Sequence, residues 1–199
     1  MKPLQVILIV IAVAAVALGL RFAPGFLEKN EATALGGPFT MTATTGTGTT
    51  GKTVTQETYK GKYMLIYFGY TYCPDVCPTG LTTLSQALNS LPAAKADKIQ
   101  PLFVTVDPAR DTLEQMTAYV AAFHPRLVGL VGTADQTAAI AKAYRVYYAK
   151  EKGKENDTEG YLVDHSAITY LMGPDGRFLS YFGHDTTPEE MAKKLAAAL

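Results

Sequence analysis

YMLIYFGYTYCPDVCPTG, residues 63–80, decides how this chain is read. Tyr63–Tyr70 is an unbroken apolar and aromatic run of strand length, the pattern of a strand buried on both faces. The chain's two cysteines, Cys73 and Cys77, follow at once, each before a proline. Leu81, Leu84, Leu88 and Leu91 then recur at helical spacing and predict a helix over Thr79–Leu91, with Pro78 at its first position. The cysteines therefore sit between a buried strand and a helix start, where open α/β sheets place reactive groups. Unpaired N–H groups and the positive end of the helix dipole favour a thiolate there.

Ile99–Asp107 reads as a second buried strand and Thr112–Phe123 as a helix capped by Asp111 or Thr112. Leu127–Gly132 is a third strand and Asp135–Tyr144 a third helix. After a polar loop at 150–160, runs Ile168–Met172 and Arg177–Phe182 flank Gly-Pro-Asp-Gly, a hairpin signal. A last helix begins near Pro188. This order describes an α/β domain, a mixed central sheet flanked by helices. The Thr/Gly-rich stretch Thr42–Thr55 is either a flexible linker or an edge hairpin.

Of 199 residues, 48% are hydrophobic and 18% charged, and 18 Lys plus Arg balance 18 Asp plus Glu, so nothing points to nucleic acid as a partner. Leu4–Leu20 is an uncharged apolar run between Lys2 and Arg21. It predicts a membrane anchor helix over 1–21, followed by a linker, 22–35, and one domain, 36–199. Leu18, Leu20, Arg21 and Phe22 crowd the place of a cleavage site, which favours an uncleaved anchor over a cleaved signal peptide. Lys2 on the cytoplasmic side sends the domain across the membrane, into an oxidising compartment.

Three uses compete for Cys73 and Cys77. A structural disulfide would close a very short ring and gain little. A dithiol–disulfide redox pair is a near miss to the two-residue CxxC spacing. A soft-metal site needs a third ligand from elsewhere. Of three histidines, His124 sits before Pro125 at a helix end and His184 before the last helix, both suited to capping or surface roles. His165 stands just before an apolar strand, with Asp164 beside it as a candidate partner for the ring. By itself it is as readily a structural histidine as a ligand. Two thiolates and an imidazole suit Cu(I) best and also accept Cu(II), whereas zinc wants a fourth ligand or water.

YCPDVCP (72–78), VTVDPARDT (104–112) and DHSAITYLMGPDGRF (164–178), in this order, resemble the Sco/SenC copper-binding proteins. The resemblance covers roughly Gly36–Ala198 and implies a thioredoxin-like fold tethered by one N-terminal membrane helix. It implies one copper bound by Cys73, Cys77 and His165, and delivery to the copper A centre of cytochrome c oxidase subunit II, with another copper chaperone as a candidate donor. The implied location is the bacterial cytoplasmic membrane with the domain in the periplasm, the mitochondrial inner membrane being the alternative. Some family members act as thiol–disulfide reductases on the recipient's cysteines, through the same Cys73–Cys77 pair. Asp75 and Asp107 match acidic positions of the family and, with Asp164, are candidate site-supporting residues. Asp75 equally suits a helix cap, Asp107 a strand-end turn, and Arg110 a partner for Asp107 or Asp111. Gly80 departs from the acidic residue common in the family.

Overall fold

The structure, a computed structural model, describes residues 35–45, 50–151 and 160–199. The expected anchor lies outside them, as does nearly all of the linker. Among the described residues no helix is long and apolar enough to cross a membrane.

The elements run β1 (Thr40–Thr44), β2 (Gly51–Thr55), a 3₁₀ turn (Gln56–Tyr59), β3 (Tyr63–Gly69), α1 (Val76–Ser90), α2 (Ala93–Ala96), β4 (Ile99–Thr105) and α3 (Leu113–Ala121). They continue with β5 (Val128–Val131), α4 (Ala134–Ala143), β6 (Tyr148–Lys150), β7 (Val163–His165), β8 (Thr169–Met172), β9 (Phe178–Phe182) and α5 (Pro188–Ala198). Seven strands form one mixed sheet in the order β2-β1-β5-β4-β3-β8-β9. Its parallel centre is β5-β4-β3, and antiparallel strands flank it on both sides.

β3 is buried on both faces, as its apolar run demands. Leu65 belongs to the core under α1 and α5, with Leu84, Leu88, Leu171, Met191 and Leu195. Phe68 points the other way and meets Tyr144 and Tyr170, at ring centroids 5.4 and 5.8 Å apart. Each such buried side chain contributes about 1.5–3 kcal/mol relative to exposure. Helices α3, α4 and α5 start at Thr112, Thr133 and Thr187, whose hydroxyls accept the N–H of Gln115, Gln136 and Glu190. Each of those residues returns a side-chain oxygen to the cap's N–H, so two otherwise unpaired donors are satisfied at each helix start. Thr112, rather than Asp111, is therefore the cap of α3.

Two expectations change, and one open alternative is decided. The helix after the cysteines begins at Val76, so Pro78 lies inside its first turn and Cys77 is itself helical. First-turn N–H groups have no partner within a helix, so a proline there is tolerated without marking the start. The Thr/Gly stretch resolves to the edge hairpin, with Thr44 opposite Gly51. The loop expected at 150–160 is bounded by a ribbon absent from the sequence reading, β6 paired to β7 with Tyr148 opposite His165.

Candidate metal centre

The end of β3 and the start of α1 bring the cysteines together. Tyr70 O accepts the Cys73 N–H at 3.2 Å and closes the loop. The Tyr67 hydroxyl, held in the core, donates to Val76 O at 3.0 Å and fixes the first residue of α1. Asp75 occupies the cap position without a side-chain capping bond. The Cys73 sulfur takes that place instead, accepting the Cys77 N–H at 3.4 Å. An anionic sulfur at an α-helix N-terminus is electrostatically favoured.

Glycine lets the sulfurs lie this deep. A Cβ on Gly69, the last residue of β3, would stand 2.5 Å from Cys77 Sγ and 2.8 Å from the Phe103 ring. The departure at Gly80 has a similar cause, because a Cβ there would stand 2.7 Å from the buried Tyr67 ring. Gly80→Ala gains about 1 kcal/mol of helix propensity. It also forces the ring to move, which costs about 1–3 kcal/mol. A lower urea midpoint is expected, and a raised one would show that Tyr67 yields freely.

His165 reaches the cysteines from β7. Its Nε2 lies 3.2 Å from Cys77 Sγ and 3.9 Å from Cys73 Sγ. The three ligand atoms fall within 4.8 Å of one another, and among the described residues no other His, Cys, Asp and Glu side chains gather so closely. The imidazole meets Tyr70 and Tyr67 edge to face, at centroid distances of 5.8 and 6.4 Å. Nδ1 stands 3.4 Å from Ser166 O. Asp164 is not the ring's partner. Neighbouring side chains alternate faces along a strand, so Asp164 is exposed where His165 is half-buried.

The two thiols are electrostatically unlike. Cys73 is lowered to about 4, first by the hydrogen bond from Cys77, then by those from His165 and the backbone, against the opposing effect of burial. Burial pushes Cys77 up, reinforced by its hydrogen bond to Cys73 and by the charge on Cys73. Neither cysteine is in a disulfide. One thiolate, one thiol and an imidazole nitrogen at these separations form a compact soft donor set that suits a single copper ion.

The other candidate residues lie around this centre. Asp75 is exposed, with the Thr79 hydroxyl 3.4 Å from its carboxylate, and its backbone N–H helps to hold the Cys73 thiolate. Asp107 is buried in the loop just after β4 and pairs with Arg110 Nε at 2.5 Å. His124 is buried, and its Nδ1 accepts the Arg126 N–H at 3.1 Å, a local structural role. His184 is exposed and takes no part in the cluster.

Asp111, only considered as a cap or an Arg110 partner in the sequence, ties the cysteine loop to the sheet. Its buried carboxylate accepts the Thr71 N–H at 3.2 Å and the Thr71 and Thr105 hydroxyls at 2.6 Å each. The signal was present in VTVDPARD, a carboxylate soon after a buried strand end. Its partner Thr71, however, lies forty residues away.

A family model described as SCO1/SenC matches residues 27–199. The chain belongs to the SCO1/SenC family. It is 45% identical over 163 residues to the human protein SCO1 homolog, mitochondrial, covering 81% of this chain and 52% of that one. It thus spans about half the length of the curated relatives it matches first. Among solved structures it is similar to Bradyrhizobium japonicum ScoI with copper bound, at 45% identity and a TM-score of 0.72, covering 83% of this chain and 100% of that one. BsSco, described as a member of the Sco family of cytochrome c oxidase assembly proteins, is 25% identical with a TM-score of 0.58, covering 83% and 94%. The thioredoxin-like fold that the motifs implied is thus the fold of this SCO1/SenC domain.

Proposed function

We propose that this protein binds one copper ion through Cys73, Cys77 and His165 and hands it to the copper A centre of cytochrome c oxidase subunit II. The observation that carries the reading is the convergence of two sulfurs and one imidazole nitrogen within 4.8 Å. Its setting supports it, since the ScoI relative holds copper and BsSco belongs to a family of oxidase assembly proteins. Copper is cargo here, so the protein is an assembly factor rather than a turnover enzyme. Cys73 is the more exposed of the two residues, 8% against 0% for Cys77, and is where an incoming thiolate would begin ligand exchange. Residues 1–21 anchor the domain to the bacterial cytoplasmic membrane, facing the periplasm, where a second copper chaperone supplies the ion. Asp75 supports the site through its backbone N–H, and Asp164 flanks His165 from an exposed position on β7.

The low pKa of Cys73 favours a second reading, a thiol–disulfide reductase. The Cys73 thiolate would attack a partner disulfide and release a partner thiolate. Cys77 would then resolve the mixed disulfide after losing its proton, leaving the Cys73–Cys77 disulfide and a reduced partner, to be reset by an external thiol.

Cu(I) binding by the full chain, reduced and kept anaerobic, separates the two. One copper is expected in wild type and none after Cys73→Ser with Cys77→Ser. His165→Ala should bind it on the order of 100-fold more weakly, at or above what loss of an outer partner costs. If His165→Ala binds copper like wild type, or wild type binds none and still reduces a partner disulfide, the reductase reading replaces the copper one.

A further inference from the structure

Among the described residues, strands β6 and β7 pair only with each other and share no ladder with the seven-stranded sheet. A free two-stranded ribbon is marginal in water, yet this one carries His165. Something other than the sheet must hold it against the cysteine loop.

Side chains do so at two places. Near His165, the Val163 N–H donates to the Tyr70 hydroxyl at 3.2 Å, and Val163 is buried. Just before β7, Tyr161 donates its hydroxyl to Asp107 Oδ1 at 2.7 Å. The other oxygen of Asp107 takes Arg110 Nε, and the Asp107 N–H is anchored on Thr105 Oγ1 at 2.9 Å. The Arg110 guanidinium lies 3.6 Å over the Tyr161 ring, 4.8 Å from the Tyr72 ring and 5.7 Å from the Tyr70 ring. The segment leading to His165, the loop after β4 and the loop leading to Cys73 therefore meet at one guanidinium. Asp107 is 2% exposed, so losing a donor would leave a buried carboxylate oxygen short of a partner.

We propose that Asp107, Arg110 and Tyr161 form a clasp that sets the approach of His165 to the two cysteine sulfurs. They are positioning residues, and the inference rests on the copper reading for its ligand half. The clasp joins the segment leading to the third ligand with the loop leading to Cys73, and it includes none of the three ligands. With it released, Cys77 stays on α1 and Cys73 on the loop between β3 and α1, while the imidazole moves with its ribbon. Its strength thus governs how readily the three-ligand site opens.

The test uses the full chain with Tyr161→Ala and the conservative Tyr161→Phe, which keeps the ring over Arg110 and removes the hydroxyl. Amide hydrogen exchange of the reduced, metal-free protein is expected to speed up across β6 and β7 by about tenfold or more in Tyr161→Ala. Tyr161→Phe should fall between it and wild type, and β3 and β4 should be unchanged. Capture of Cu(I) by a colorimetric chelator should accelerate similarly in Tyr161→Ala, and by nothing further when His165→Ala is already present. Unchanged ribbon exchange would overturn the clasp. Equal acceleration with and without His165 would overturn its action through that ligand. If wild type holds no Cu(I), the copper reading fails by itself, and the exchange result alone then upholds or overturns the clasp.

Discussion

A thiolate absorbance titration of the reduced, metal-free protein is expected to show one sulfur ionised from about pH 4 upward, and the other still protonated well above the ordinary thiol value of about 8.5. The two cysteines share one proton. It stays on Cys77, the deeper sulfur, which donates to the Cys73 thiolate, while His165 and backbone N–H groups add to that anion's stability. The linkage has opposite signs for the two groups. The lowered pKa of Cys73 contributes stability that is present above its unfolded value and is lost as pH falls through about 4. The raised pKa of Cys77 contributes stability present below its unfolded value and lost as pH rises toward its folded one. The reduced protein should therefore resist urea best near the unfolded thiol value and weaken on both sides of it. Cys77→Ala removes the largest lowering influence on Cys73, so its inflection should move up. Absence of any thiolate until about pH 8.5 in wild type would mean that the Cys73 sulfur is not held as drawn.

What the sequence disclosed follows from how local each signal is. Tyr63–Tyr70 announced a strand buried on both faces because nothing in it suits water, and the strand observed is Tyr63–Gly69. Cys73 and Cys77 were recognisable as a reactive pair because a strand end, a loop and a helix start are consecutive in the chain. His165 was not recognisable from residues alone. It joins Cys77 across 88 positions, and only the combined motifs of the family pointed to it. The ribbon that carries it escaped notice because strands of three residues leave almost no periodicity. Tyr161 and Asp111 escaped for a related reason. Each acts through a partner forty or more residues away, and a lone tyrosine or aspartate near a strand end looks like any loop residue. Asp164 misled in the opposite way, since adjacency in a strand separates two side chains rather than joining them.

Asp111→Ala is expected to destabilise the protein by about 3 kcal/mol, the cost of leaving several buried donors without an acceptor. Thr71 presents two of those donors and Thr105, which is fully buried, the third. Asp111→Asn keeps one acceptor oxygen but turns an N–H group toward donors, so about half that loss is expected. The pH dependence separates the carboxylate's charge from its shape. Burial raises the Asp111 pKa, more than the Thr105 and Thr71 hydrogen bonds lower it. A carboxyl with a raised folded pKa contributes stability that is complete below the unfolded value of about 3.9 and is lost as pH rises through the folded value. Urea midpoints across the weakly acidic range should therefore slope downward with pH in wild type relative to Asp111→Asn, with the gap between them widest at the acid end. Because Thr71 stands two residues before Cys73, the released loop also lets the Cys73 sulfur drift from the start of α1. Its thiolate inflection should then rise in Asp111→Ala along with the loss of stability. A variant that unfolds at the wild-type urea concentration and keeps the low inflection would show that the cysteine loop is held by its own turn and by α1, with no help from the buried carboxylate.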